Sequence, residues 1–252
     1  MRQIAIALSL LCLVSLSAPP ANAEETPVLS YSFATEWWAK YLNQGGFVIH
    51  DGSVLWTSLF VTHNRSGFYA GLWNSTPIDG TEFNSDFGTE NDIYLGWRGR
   101  TGNFGYTLGV AYFDLYRLGG DPAGDLMQAY GEVAYHFPFG KHELVPFARL
   151  EYSIPPPVRH TMLDESVRGL VGVRYTYVLT EQVGFWAKLW LIGDDGRNAP
   201  EATGIAQLDG GVKVVLTQNV NMTFGARLSQ PMTKTSSRKF EAVPNAALNI
   251  NW

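Results

Sequence analysis

The sequence is short of cysteine, of charge and of long hydrophobic runs. Cys12 is its one cysteine, which excludes a disulfide framework and a cysteine-based metal site. Charged residues make up 16% of the chain, well below the ~25% of a typical globular domain. The formal net charge is −5 at pH 7. A nucleic-acid-binding protein would carry a basic patch instead, so we expect no nucleic-acid partner.

The first residues have the pattern of a secretory signal peptide. Arg2 gives a positive start, residues 4–16 form an apolar run, and Ala21-Asn22-Ala23 is a small-residue cleavage site. Cys12 could be read as a lipoprotein acceptor, but bulky Leu11 stands before it where a small residue is needed. We therefore expect residues 1–23 to be cleaved and residues 24–252 to form one domain.

The remaining chain contains no apolar stretch approaching the ~18–20 residues of a membrane-spanning helix. Aromatic residues nevertheless reach 13% of the sequence, and glycine accounts for 26 residues. An exported chain of this kind can bury its apolar surface by closing a β-barrel, in which every backbone group is paired within the wall.

Alternation of polar and apolar residues predicts twelve strands. In segment 220–229, for example, Phe224 and Leu228 share one face, whereas Arg227 and Ser229 share the other. The predicted segments are 28–40, 53–63, 67–75, 90–98, 104–115, 126–137, 143–153, 166–178, 183–192, 204–217, 220–229 and 241–252. We expect an all-β, transmembrane antiparallel up-and-down barrel.

The connections between these segments alternate strictly between short and long. Short turns such as 64–66 and 179–182 take turns with long loops such as 41–52 and 193–203. In an up-and-down barrel, all connections of one kind lie at one rim, which is typical of an outer-membrane barrel with periplasmic turns and extracellular loops. The cell outer membrane is the predicted location. A secreted soluble β-sandwich also alternates polar and apolar residues along its strands and is the alternative fold.

Aromatic residues gather near the predicted strand ends, as in the aromatic girdles of membrane barrels. At the loop side these include Trp37, Trp38, Tyr112, Tyr116 and Tyr152. The chain closes on Trp252, with apolar residues at every second position before it. This ending is typical of the closing strand that outer-membrane proteins present to the barrel assembly machinery, so Trp252 is the predicted assembly signal.

Carried through the strands, the alternation predicts which charged residues face the lumen. A basic wall faces a more acidic one, and Glu151 interrupts the basic stripe. The predicted pore-lining residues are Asp92, Arg98, Glu132, Arg149, Arg168, Arg174, Lys188, Asp209, Lys213 and Arg227. They could line an open channel with a mild preference for anions, or pair with one another and fill the interior.

The sequence offers only weak candidates for a catalytic or metal-binding site. His63 with Ser66, and His160 with Asp164, are the nearest approaches to a base with a partner, and we interpret both pairs as solvated rim residues. No Gly-x-Ser-x-Gly or His-Glu-x-x-His motif occurs. The acidic group Asp79, Glu82, Asp86 and Glu90 fits no EF-hand spacing. Asp194-Asp195 with Asn198 is a second weak candidate, and we interpret both groups as solvated or lipopolysaccharide-facing loop acids. We expect no enzyme activity, no metal and no cofactor.

Three linked motifs resemble the TorF porin family of Gram-negative bacteria. They are residues 66–75 (Ser-Gly-Phe-Tyr-Ala-Gly-Leu-Trp-Asn-Ser), residues 88–97 (Gly-Thr-Glu-Asn-Asp-Ile-Tyr-Leu-Gly-Trp) and residues 109–113 (Gly-Val-Ala-Tyr-Phe). Residues 37–41 lack the sequence pattern of that family's first strand. The C-terminal half of the chain shares with the family only the general strand pattern of a barrel. The resemblance implies an outer-membrane pore and transfers no active site.

Together these features predict a channel for passive diffusion of small hydrophilic solutes. The alternatives are a barrel enzyme that acts on lipid and a non-conducting structural or adhesin barrel. The expected partners are outer-membrane lipid, lipopolysaccharide, the barrel assembly machinery and the diffusing solutes.

Overall fold

A computed structural model describes residues 27–44, 46, 48–80, 89–114, 125–155, 164–194, 204–232 and 239–252. The predicted signal peptide and Cys12 lie outside these residues, as do Glu82, Asp86, Tyr116, His160, Asp195 and Asn198. Across the described ranges, no helix has the length and apolar character needed to cross a membrane.

Within the described residues, the chain forms fifteen strands and closes twelve of them into an antiparallel barrel. The strands are β1 Leu29–Trp38, β2 Tyr41–Leu42, β3 Val48–His50, β4 Val54–His63, β5 Phe68–Pro77, β6 Glu90–Thr101, β7 Phe104–Asp114, β8 Leu126–Tyr135, β9 Phe137–Phe139, β10 His142–Ile154, β11 Ser166–Val178, β12 Val183–Asp194, β13 Ile205–Val215, β14 Val220–Pro231 and β15 Glu241–Asn251. All twelve predicted segments correspond to barrel strands, which confirms the predicted fold class. The hairpin β2–β3 and the short strand β9 were not predicted.

The barrel closes where the first and last strands meet. Strands β1 and β15 pair antiparallel, with Ser32 opposite Asn251 and Trp38 opposite Asn245. Beyond the last paired residue, Trp252 exchanges backbone hydrogen bonds with Tyr31 at 2.7 and 3.0 Å. Their rings stack with centroids 6.0 Å apart. The terminal tryptophan thus belongs to the seam that seals the wall.

Side chains on each strand alternate between an apolar outer face and a mainly polar inner face, because successive residues of a strand point to opposite sides. On β14, Phe224 is 47% exposed, whereas Arg227 and Ser229 are 8% and 1% exposed. Cross-strand partners share a face, so the strand pairings extend this assignment around the barrel. Exposed outer residues include Leu95, Leu150, Val171 and Leu189.

The connections alternate as predicted. Short turns join β4 to β5, β6 to β7, β11 to β12 and β13 to β14 at one rim, which we call the turn end. Gly102 completes the turn between β6 and β7 with φ of 58°, a left-handed conformation that glycine adopts without steric cost. The longer connections meet at the opposite rim, which we call the loop end.

Candidate functional site: the barrel lumen

The ten predicted pore-lining residues all lie on the inner face of the barrel. The clearest row is Arg174, Lys188, Asp209 and Arg227, which are cross-strand neighbours on β11, β12, β13 and β14. A second row joins Arg98 to Glu132 through Thr107, and then Glu132 to Arg149. The role of these residues in lining a conducting pore stays a prediction.

Most of these charges are paired within the wall. Arg227 binds Asp209 through two hydrogen bonds, Nε to Oδ1 at 2.8 Å and Nη2 to Oδ2 at 2.9 Å. Arg174 donates to Glu132. Glu151 lies between two arginines and accepts from Arg149 Nε at 2.7 Å. Such pairing is expected, because a charge with restricted access to water must be partnered.

Two lysines of the inner face differ from the arginines. Lys188 lies over the Trp190 ring, with Nζ 3.4 Å from its centroid, and 5.4 Å from the Phe147 centroid. Lys213 is exposed to the lumen near the turn end of β13. Among the described residues, neither ammonium lies within salt-bridge distance of a carboxylate. Both ammonium groups therefore direct an unpaired positive charge into the lumen.

Acidic residues concentrate on the opposite wall near the loop end. Glu90 and Asp92 are 8% and 2% exposed and lie on β6. Tyr41 donates to Glu90, and Tyr94 donates to Asp92 at 2.8 Å. Burial and the negative charge of Glu90 raise the pKa of Tyr41, so its phenol stays protonated as a donor. In the described part of the chain, no cluster of His, Cys, Asp and Glu has the arrangement needed to hold a metal ion.

The hairpin β2–β3 of the first loop folds into the lumen, which the sequence reasoning did not anticipate. Leu42 is fully buried, and its carbonyl accepts a hydrogen bond from Arg227 Nη1 at 3.1 Å. The neighbouring Asn43 carbonyl accepts from Gln207 Nε2 at 3.3 Å. Together with the contact from Tyr41 to Glu90, the hairpin therefore reaches from the β6 wall to the β13 and β14 wall.

Gly46 lets this hairpin approach the wall closely. Its φ of 73° lies in the left-handed region, which favours glycine. A Cβ atom at this position would lie 3.1 Å from Ile205 Cδ1 and 3.2 Å from Ser229 Oγ. A larger residue would therefore strain the backbone and displace the hairpin from β13 and β14.

The base of the hairpin is held by Lys40. Its Nζ lies 3.1 Å from Asp51 Oδ1 and 3.4 Å from Glu241 Oε2. The hydrogen bond to Asp51 raises the pKa of Lys40, with a smaller contribution from the charge of Glu241, and partial burial only partly offsets this increase. The ion pairs connect the start of the hairpin to its end and to β15.

The interior toward the loop end contains two clusters of buried apolar side chains. One apolar cluster joins hairpin residues Tyr41 and Leu42 to the inner face; its other buried members are Trp38, Val54, Trp56 and Val243. A second cluster consists of Phe147, Leu170, Trp190, Ile192 and Ile205. Trp38 is 5% exposed and packs on Trp56 with ring centroids 4.4 Å apart. It therefore belongs to the interior and not to the predicted aromatic girdle.

The turn end of the lumen is open by comparison. A cavity of about 400 Å³ lies there between β1, β12, β13, β14 and β15. Its inward-facing lining includes Ser32, Trp186, Lys213, Asn221 and Asn249. The lumen is thus divided into a packed loop half and an accessible turn half.

Of the two weak catalytic candidates, only His63 with Ser66 lies entirely within the described residues, and the contacts of this pair form a turn. His63 Nδ1 lies 2.8 Å from Ser66 Oγ and also accepts a hydrogen bond from the Ser66 backbone amide at 3.2 Å. The Ser66 hydroxyl in turn accepts from the Phe68 amide at 3.3 Å. These contacts close the exposed turn between β4 and β5.

Comparisons with known proteins support the barrel class. The family described as "Bacterial protein of unknown function (Gcw_chp)" has a model that matches residues 41–149. All three motifs of the TorF resemblance lie inside this range. The TorF assignment itself stays a prediction. No curated protein matches the chain.

Solved structures with the same architecture come from bacterial outer membranes. The translocator domain of the autotransporter NalP from Neisseria meningitidis superposes with a TM-score of 0.55 at 10% identity, covering 100% of this chain and 95% of that one. An outer membrane channel from Pseudomonas putida F1 gives 0.53 at 10% identity, covering 94% and 100%. The KdgM porin gives 0.51 at 7% identity, covering 88% and 98%. The chain has the fold of bacterial outer-membrane barrels. At these identities the likeness concerns the fold alone.

Proposed function

We propose that the protein is an outer-membrane channel through which small hydrophilic solutes diffuse passively. The observation that carries this proposal is the division of the wall into an apolar outer face and a charged inner face. The row Arg174, Lys188, Asp209 and Arg227 crosses four successive strands on the inside, while residues such as Val171 and Leu189 are exposed outside. An enclosed polar surface of this kind supports diffusion of hydrophilic molecules.

The distribution of charge favours a mild preference for anions. The carboxylates of Glu132, Glu151 and Asp209 are neutralised by arginines, whereas Lys188 and Lys213 direct their charge into the lumen. Lysine and arginine along a pore lower the electrostatic barrier for anions. Glu90 and Asp92 lie on the other wall near the loop end, so the preference should be moderate.

The inward hairpin sets the size of the solutes. It lies between the β6 wall and the β13 and β14 wall, so a solute must pass beside it in the half of the lumen where the two apolar clusters also lie. We infer that only small molecules pass, and that the turn half is the wider vestibule.

The proposed function includes the location and partners predicted from the sequence. The outer face would contact outer-membrane lipid and lipopolysaccharide, and the barrel assembly machinery would recognise the closing strand that ends at Trp252. No enzymatic step is part of this proposal.

Planar-bilayer recording in a salt gradient tests the channel. We expect discrete conductance steps and a reversal potential on the anion-selective side. Lys188→Glu should shift that potential toward cation selectivity, whereas Lys141→Glu, in an exposed turn, should leave it unchanged. A folded barrel without conductance steps, or with clear cation selectivity, would contradict the proposal. Hydrolysis of phospholipid by the same sample, without conductance, would favour the lipid-active alternative.

A further inference from the structure

The cavity at the turn end has the composition of a binding site. Its lining residues include one cation, Lys213, and no carboxylate side chain. Within the described residues, the Lys213 ammonium has no hydrogen-bond or ion-pair partner. A solute that enters from the turn side therefore meets an unneutralised positive charge. The complementary ligand group is an anion.

Neutral polar groups surround this cation. Asn249 Nδ2 donates to Asn221 Oδ1 at 3.2 Å, an arrangement that orients both amides. The Asn221 amide nitrogen and the Asn249 amide oxygen keep further donor and acceptor capacity, because a primary amide has two donors and one oxygen with two lone pairs. The hydroxyl of Thr223 adds a group that can both donate and accept. These groups match ligand hydroxyls.

An aromatic wall completes the cavity. Trp186 lines it from β12 and faces Gly211 of β13 across the strand pair. A flat apolar surface beside oriented polar groups is typical of small-molecule sites, and the cavity of about 400 Å³ lies within their ~300–1,000 Å³ range.

We propose that this cavity binds a small hydroxylated carboxylate, with the carboxylate on Lys213, the hydroxyls on the asparagine amides and the apolar face of the ligand on Trp186. This inference rests on the proposed channel function and deepens it, since it gives the channel a solute-binding vestibule at its turn end. The site would raise the local concentration of one class of solute before the narrower half of the lumen.

Titration calorimetry on the purified barrel in detergent micelles tests the site without requiring conductance. The probe is D-glucuronate, and D-glucose is the matched neutral sugar. We expect glucuronate to bind and glucose to bind far more weakly. Lys213→Gln should weaken glucuronate binding about tenfold, the effect of losing one charge-assisted contact. Lys213→Arg should retain most of the affinity, and Lys141→Gln should retain all of it.

Three results would overturn the site. They are equal binding of glucose and glucuronate, unchanged binding in Lys213→Gln, and no binding by a barrel whose fold is verified by heat-modifiable gel migration. Bilayer recordings separate this failure from that of the channel. Conductance without glucuronate binding refutes the binding site and leaves the channel, whereas glucuronate binding without conductance supports the binding site and refutes the channel.

Discussion

Arg227 joins Asp209 on the neighbouring strand to the Leu42 carbonyl of the inward hairpin. The two contacts with Asp209 measure 2.8 and 2.9 Å, and the contact with Leu42 measures 3.1 Å. A planar guanidinium with five donors in a fixed fork can make all three bonds at once, which the ammonium of lysine cannot reproduce. One side chain therefore links the barrel wall to the structure that fills its loop half.

Replacement of Arg227 by alanine should destabilise the barrel. Asp209 would be left as a buried, unpaired carboxylate, and breaking a buried ion pair in this way costs about 3–5 kcal/mol. Urea unfolding in lipid vesicles measures the change. The double variant Arg227→Ala/Asp209→Asn is the control, because it removes the orphaned charge. It should recover part of the lost stability, and no recovery would contradict the role given to the pair.

Shortening the hairpin should enlarge the channel. Replacement of residues 42–49 by Gly-Ser-Gly removes Leu42 and the contacts to Arg227 and Gln207, so single-channel conductance should rise above that of the wild type. Gln44→Ala changes an exposed hairpin residue and should leave conductance unchanged. A correctly folded short variant with wild-type conductance would show that the hairpin does not limit the pore.

The position of the hairpin can also be tested by crosslinking. The predicted mature sequence contains no cysteine, so an introduced pair is the only pair present. Asn43→Cys with Gln207→Cys should be joined by a short thiol-reactive crosslinker, because Gln207 Nε2 lies 3.3 Å from the Asn43 carbonyl oxygen. The control pair Asn43→Cys with Asn251→Cys places one thiol at the turn end and should remain unlinked. Equal crosslinking of both pairs would be inconsistent with a seated hairpin.

Alkaline pH should loosen the base of the hairpin. The folded pKa of Lys40 is raised by Asp51, so its contribution to stability is fully present below the unfolded pKa of about 10.4. That contribution is lost as the pH rises through the higher folded pKa. Protease cleavage within the hairpin should therefore increase above this pH in the wild type. Lys40→Met should show a smaller pH dependence in the same range, and an identical profile would exclude Lys40 as the titrating group.

Charge on the outer face should be penalised, whereas charge on the inner face should be accepted. Leu95 is 54% exposed near the middle of β6, and Leu95→Arg should cost about 2–4 kcal/mol if this position lies near the bilayer midplane. Ser58→Arg places the same side chain on the inner face of β4 and is the matched control. Comparable losses in vesicle unfolding experiments would contradict the assignment of the outer face to lipid.

The fold could be predicted because strand patterns are local. On β14, the two faces separate into Phe224 with Leu228 and Arg227 with Ser229, and one register satisfies the whole strand. The inward positions of Arg174 and Lys188 follow from the same alternation. Alternation does not show that Arg174 is ion-paired whereas Lys188 is not. Arg174 binds Glu132, which lies 42 residues earlier in the chain, and such long-range pairings depend on closure of the barrel.

The hairpin was missed because its contacts are long-range. A loop with the sequence Tyr41-Leu42 and Phe47-Val48-Ile49 around two glycines is unusually apolar for an exposed rim, and this was the available signal. The same reasoning applies to Trp38, which was assigned to the girdle by its place near a strand end. Its inward direction follows from its pairing with Asn245 of β15, a contact that exists only once the barrel has closed.

The arrangement of the hairpin implies an order of events during biogenesis. The hairpin follows the first strand, yet its anchors Gln207 and Arg227 are separated from it by 164 and 185 residues in the chain. These anchors exist in place only after β13 and β14 have joined the growing wall. The hairpin contacts β4 and β6 on one side and β13 and β14 on the other, so it can be fully seated only once strands from both halves of the chain stand in the same wall.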